Sequence, residues 1–320
     1  MLAGASPCLL GNISRTVVER PLCGNLIICQ SNGGWKRFKS TYDLFRHEIL
    51  HALGFGTITS ANPDDFGHTQ IKEWKYANPL MPSDYLPTFH MDFAKRALND
   101  IRSHFNCMNA LGVEADDHMK THLSEYVFGN ELMTPFLSNG YNYFSLISAH
   151  ILEDTFLGQV AWYKIDETIV GFEDRLYWYG RGWGCDFIEK SCFEYIQNQE
   201  NPLPFCDEMA LQAHLRGKLA QRICFSNGTN QLEVKVQCNF ERILVRPTAN
   251  WLTRPVTLES QFPALENVLN TIGYEVYGSA GLHRYCPFVK EILYDKVPLV
   301  PFGAIIVPCG PTPTSSSYNT

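Results

Sequence analysis

Two histidines four residues apart, with a glutamate beside the first, constrain this chain more than any other feature: His47-Glu48-Ile49-Leu50-His51. On an α-helix that spacing sets both imidazoles on one face, about one turn apart, where each can aim a nitrogen at a single ion. Glu48 then lies roughly 100° further round the helix. It is too far round to ligate easily, yet well placed to take a proton from a water that the ion activates. Zinc suits this chemistry because it draws the pKa of a bound water down to about 7. Ser40-Thr41-Tyr42-Asp43 resembles an N-terminal cap and Gly54 is placed to end the element, so a helix is expected over residues 41–53. A chance occurrence of the motif has no reason to fall inside a capped amphipathic helix.

A catalytic zinc takes three protein ligands and keeps a fourth position open. Position 57, where a third histidine would follow a glycine turn after such a helix, is Thr57. The remaining candidates are His68, His90, His104, His118, His122 and His150. Taken one at a time, most of them read as ordinary surface or helix histidines, so the motif alone leaves the third ligand open.

Of the 320 residues, 45% are hydrophobic and 18% charged, the balance of a globular chain able to bury a sizeable core. The formal net charge of -7 and the lack of any basic run argue against nucleic-acid binding. The best candidate for a membrane span, residues 298–308, is short and broken by prolines, so no transmembrane segment is expected. Eleven cysteines without paired CxxC knuckles point to a disulfide framework in an oxidising compartment rather than to a second metal site. The odd count leaves at least one cysteine without a partner in the chain. The sequons Asn12-Ile13-Ser14 and Asn227-Gly228-Thr229 agree with a secreted origin, whereas Met1-Leu2-Ala3-Gly4 lacks the basic segment and apolar core of a signal peptide.

Along the chain, one strand is expected at residues 25–29, and residues 56–90 read as a long loop rich in Pro, Asp, Asn and Gly. A helix is expected over residues 91–105, with Phe93, Ala97, Ile101 and Phe105 as its apolar stripe, and a further one over residues 141–156. Beyond residue 180, cysteines, aromatics and short β-like runs dominate, ending in a Pro/Thr/Ser tail at residues 311–320 that reads as disordered.

Four stretches together resemble the leishmanolysin (gp63, or invadolysin) family of metzincin-like peptidases. Arg20-Pro21 through Gly24 to Cys29 looks like the strand before the active-site helix, and Arg46 through Phe55 looks like that helix. Asn130-Glu131-Leu132-Met133-Thr134 looks like the Met-turn, and Trp183-Gly184-Cys185-Asp186-Phe187, Lys190-Ser191-Cys192 and Tyr285-Cys286-Pro287-Phe288 look like the cysteine-rich C-terminal part. The resemblance covers residues 1–290. It implies that a long insertion separates the glycine from the third histidine, which lies eleven residues before the methionine; from Met133 this points to His122, with His118 as runner-up. The Gly-rich segment before that histidine is shortened here to Val113-Glu114-Ala115-Asp116-Asp117. The implied site is thus Glu48 as catalytic base with His47, His51 and His122 on one Zn2+, and Met133 as the hydrophobic floor beneath it.

The same resemblance implies disulfides Cys107–Cys185, Cys192–Cys286 and Cys206–Cys238. Cys224 and Cys309 would have partners beyond the C-terminus, and Cys8 or Cys29 a partner upstream. The expected fold class is α+β: a zincin (metzincin-like) catalytic core with a Met-turn, followed by a disulfide-rich, mostly β or irregular region. Its expected divisions are residues 1–56 with the active-site helix, 57–190 with the third ligand and Met-turn, 191–310 as a cysteine-rich part, and 311–320 as a tail. Only 46 residues precede His47, so a signal peptide, a propeptide and most of the N-terminal sheet are expected to be absent, as are the C-terminal end and any lipid anchor. The implied function is a monomeric zinc endopeptidase, extracellular or at the cell surface, acting on protein or peptide substrates, with a role in cell adhesion or migration. The alternative is a catalytically impaired zinc-binding or adhesion-type module.

Overall fold

The computed structural model describes residues 3–9, 21–29, 41–56, 67–75, 83–91, 95–138, 141–154, 156–157, 160–161, 163–199, 202–205, 221–226, 231–236, 284, 286, 288 and 305–307. The Cys206–Cys238 pairing, Cys309, Thr57, both sequons and the tail at residues 311–320 fall outside them.

The chain opens with two antiparallel strands, β1 (Ala3–Leu9) and β2 (Pro21–Ile28), so the strand expected at residues 25–29 begins earlier. Both pack on the helix α1 (Thr41–Ala52). Gly24 makes this close approach feasible: a Cβ there would lie 2.5 Å from Cβ of Ala52. The inward face of α1 is a stripe of Asp43, Leu44, His47, Glu48 and His51, mostly polar where an ordinary core helix is apolar.

The expected loop over residues 56–90 contains a hairpin instead: β3 (Gly67–Lys75) pairs with β4 (Ser83–Met91), which pairs with β5 (Val113–Ala115), all antiparallel. Hydropathy conceals β3 because its pattern is inverted. Ile71 is exposed while Lys72 is buried, and Lys72 Nζ donates to the buried Glu114 carboxylate at 2.8 Å and to the carbonyl of Ile188 at 2.9 Å. The hairpin also ends at Met91, so the following helix, α2 (Lys95–Phe105), starts later than expected while keeping Ala97, Ile101 and Phe105 as its buried stripe.

A short helix α3 (Glu125–Phe128) precedes α4 (Leu146–Glu153). The start of α4 is set at Ser145, whose hydroxyl accepts from the Ser148 N–H, and not at residue 141 as expected. Residues 141–145 are drawn out of helix by other partners: Asp43 Oδ2 accepts from both the N–H and Nδ2 of Asn142, and Tyr143 bonds to the backbone of Asn130 and Leu132. The two-residue strands β6 (Phe156–Leu157) and β7 (Val160–Ala161) lead to α5 (Glu167–Asp174), capped by Asp166.

Past residue 180 the expected β-like runs are preceded by two helices, α6 (Cys185–Glu189) and α7 (Cys192–Asn198). The N-terminus of α7 is a capping box in which Ser191 and Glu194 satisfy each other's backbone N–H groups. Strands β8 (Gln221–Ser226), β9 (Gln231–Val236) and β10 (Ile305–Val307) form an antiparallel sheet in the order β10-β8-β9. The core is aromatic, with Phe105, Tyr126, Phe128, Tyr177, Tyr179, Phe187, Phe205 and Phe288 all fully buried. Two expected disulfides, Cys107–Cys185 and Cys192–Cys286, tie α2 and residue 286 into it. Among the described residues no helix is long and apolar enough to cross a membrane.

Candidate metal centre

His47 and His51 project from α1 towards His122, which lies just beyond β5. Nε2 of His51 stands 3.0 Å from Nε2 of His47 and 3.1 Å from Nε2 of His122. His122 is delivered there by backbone pairing: Asp116 N–H donates to the His122 carbonyl and Ser124 N–H to the Glu114 carbonyl, which folds residues 116–124 back along β5. Gly56, in the left-handed region at φ 68°, lets the turn after α1 press against this segment; a Cβ there would meet the Thr121 carbonyl oxygen at 2.2 Å.

The other nitrogen of each ring has an oxygen partner. His47 Nδ1 lies 2.7 Å from the Leu132 carbonyl, His51 Nδ1 lies 2.9 Å from the Phe55 carbonyl, and His122 Nδ1 lies 3.3 Å from Asp116 Oδ2. A carbonyl only accepts, so Nδ1 must carry the proton and Nε2 is left with its lone pair. Burial pushes His47 down to about 3, with His51 adding to the effect, and pushes His51 down to about 4, so both rings are neutral near pH 7. Lone pairs converging at this distance repel unless a cation lies among them. Tetrahedral zinc, with bonds to nitrogen of about 2.0–2.1 Å, would hold its ligand nitrogens about 3.3 Å apart. The donor set therefore fits a metal ion of this kind.

Glu48 is buried beside the triad. Burial raises its carboxyl above the ordinary range, opposed by the nearby His122 and by a hydrogen bond from the backbone of Ala5 in β1. Behind the helix, Arg46 Nη2 forks onto both carboxylate oxygens of Glu173 at 2.6 and 2.7 Å, and its Nη1 donates to Asp43 at 3.2 Å. These contacts pin α1 to α5 and to residue 142. The Leu132 carbonyl is held in turn by its neighbours: the fully buried Glu131 accepts from Met133 N–H at 2.5 Å and from the Ser145 N–H and hydroxyl at 3.1 and 2.8 Å. Met133 is fully buried, and its carbonyl accepts from the N–H of Leu123 at 2.9 Å.

The other candidate histidines are employed elsewhere. His118 is exposed, His68 and His90 stack at 4.9 Å between ring centroids, buried His104 bonds to the Tyr179 carbonyl at 2.7 Å, and His150 pairs with Asp100. Sequence reasoning did not single out the acceptors behind the three histidines. The carbonyls of Leu132 and Phe55 and the N–H of Ala5 are backbone groups that leave no compositional trace; Asp116, six residues before His122, was the one side-chain signal available.

The fold brings His47 and His51 of a His-Glu-x-x-His helix together with His122 into a group that could hold a metal ion. A family profile described as leishmanolysin, peptidase M8, matches residues 2–294, and the chain belongs to that family of metallopeptidases. Relatives include the leishmanolysin-like peptidases of Caenorhabditis elegans, 26% identical over 87% of this chain and 44% of the relative, and of Drosophila melanogaster, 24% identical over 90% of this chain and 44% of the relative. The chain thus spans less than half the length of the relatives it matches. Family and disulfides are consistent with an extracellular or cell-surface setting.

Proposed function

We propose that this chain carries the catalytic zinc centre of an endopeptidase acting on protein or peptide substrates, with His47, His51 and His122 as ligands and Glu48 as general base. The supporting observation is the meeting of three Nε2 atoms within about one zinc coordination shell, each ring oriented by an oxygen at Nδ1. Bound zinc supplies Lewis-acid polarisation of a water and of the scissile carbonyl. Glu48 takes the proton from the attacking water and returns it to the leaving amine; its burial, which raises the carboxyl, suits a group that must both accept and release a proton near neutrality. The backbone of Ala5 donates to that carboxylate and restrains it. Met133, which is buried and whose carbonyl accepts from the N–H of Leu123 next to His122, is assigned the floor of the site, the role of a Met-turn methionine.

The test is cleavage of a casein-type substrate by the purified chain, with and without a chelator. Chelator-sensitive cleavage that Glu48→Gln abolishes while zinc content stays stoichiometric supports the reading. Stoichiometric zinc without any cleavage sinks it, and favours a non-catalytic zinc-binding or adhesion module.

A further inference from the structure

Cys8 of β1 and Cys23 of β2 face each other across the ladder, and both carry thiols. Opposed residues of an antiparallel pair point to the same face of the sheet. Their Cα atoms stand about 4.5 or 5.5 Å apart according to the type of pair, and both spacings lie within the roughly 4.4–6.8 Å that a disulfide spans. The two thiols are near enough to share a hydrogen bond, which with burial holds the Cys8 thiol above its ordinary range. Cys23 is exposed and Cys8 half-buried, so a small oxidant can reach the pair. The third thiol of this region, Cys29, lies six positions beyond Cys23, roughly 20 Å along an extended chain at about 3.3 Å per residue, out of bonding range of either.

We propose that Cys8 and Cys23 are a redox pair that closes into a cross-strand disulfide. Closure forms one Sγ–Sγ bond as the two thiols give up two protons and two electrons. A small disulfide of the glutathione type accepts them: Cys23 attacks it and releases one thiol, then Cys8 attacks the mixed disulfide and releases the second. The bond sits where the two strands meet the metal-centre helix. Gly24, next to Cys23, is pressed onto Ala52 of α1, and β1 supplies the Ala5 backbone group that holds Glu48. Closing the pair ties the strand that orients Glu48 to the strand packed on its helix. The inference stands independently of the peptidase reading, since it rests on the strand register, which shifts only after Cys8, and on the proximity of the two thiols.

The experiment equilibrates the full chain with reduced or oxidised glutathione, alkylates the remaining thiols, and maps peptides alongside amide hydrogen exchange. A Cys8–Cys23 linked peptide in the oxidised sample, with exchange across β1 slowed about tenfold or more, is expected. Cys23→Ser, at an exposed position, should leave Cys8 open to alkylation and remove the exchange difference while Cys107–Cys185 and Cys192–Cys286 persist. Full alkylation of Cys8 and Cys23 after oxidation, or linkage of either to another cysteine, would overturn the pair. A linked peptide with unchanged exchange would overturn the bracing of β1.

Discussion

Nδ1 of His47 lies 2.7 Å from the carbonyl oxygen of Leu132, 85 residues away in sequence, so the ring on α1 is oriented by the same segment that carries the buried Met133. His122 reaches the triad from this side too, through the bond between Leu123 N–H and the Met133 carbonyl. Removing a ligand should therefore cost far more than removing a surface histidine. His122→Ala is expected to weaken zinc binding by more than about 100-fold, exceeding the loss typical of an outer-shell change. His118→Ala should leave it unchanged. Zinc content after gel filtration against a competing chelator distinguishes them, and the opposite pattern refutes the assignment.

Asp116 reaches His122 twice, with Oδ2 beside the ring Nδ1 and Oδ1 accepting from its backbone N–H at 3.3 Å. Asp116→Ala should lower zinc affinity by about 10–100-fold, the usual penalty for losing an orienting carboxylate, with little change in far-UV circular dichroism. An unchanged affinity in a competition titration would show that Asp116 has no orienting role.

Glu131 is fully buried, and burial pushes its carboxyl up to about 7 from an ordinary 4.5, against the pull of the hydrogen bonds from Met133 and Ser145. A carboxyl raised in the folded state binds its proton more tightly there than in the unfolded chain. Its contribution is complete below about pH 4.5 and is lost as pH rises towards about 7. The zinc-free protein should lose on the order of 3 kcal/mol of stability from this group over that interval, at about 1.4 kcal/mol per pKa unit. Glu131→Gln should flatten that part of the profile. Urea unfolding of both proteins at several pH values gives the comparison, and parallel profiles would count against it.

Glu114 is 1% exposed and lies between Lys72 and Arg284, with the Ser124 hydroxyl donating to it at 2.9 Å. Burial alone would raise its carboxyl, but the two cations hold it well below the ordinary range. Glu114→Ala strands the buried Lys72 and the half-buried Arg284 and should destabilise the fold by about 3–5 kcal/mol. A loss under about 1 kcal/mol in urea unfolding would mean that water screens the cluster.

Where an element is built from local signals, the sequence exposes it: the stripe of Ala97, Ile101 and Phe105 marks α2, and the first histidine pair marks α1. Where long-range partners override local pattern, it does not. Lys72 occupies a buried strand position because the carboxylate of Glu114, from β5, receives its ammonium, while Ile71 faces solvent. Residues 141–145 leave the helix because Asp43, far upstream, captures Asn142. The capping box of Ser191 and Glu194 is, like the stripe of α2, a local signal, since both partners lie within one turn.

For the metal centre, the sequence by itself determined the relation of His47, Glu48 and His51, because helical periodicity is a property of adjacent residues and needs no partner. The resemblance carried by the wider chain pointed to His122 by its distance from Met133. Only the tertiary structure brought that imidazole within 3.1 Å of His51, left His118 at the surface, and turned three Nδ1 atoms onto Leu132, Phe55 and Asp116. Those acceptors are two carbonyls and one carboxylate. Every residue owns a carbonyl, so which one faces a given ring depends on the path of the folded chain and not on the residue's identity.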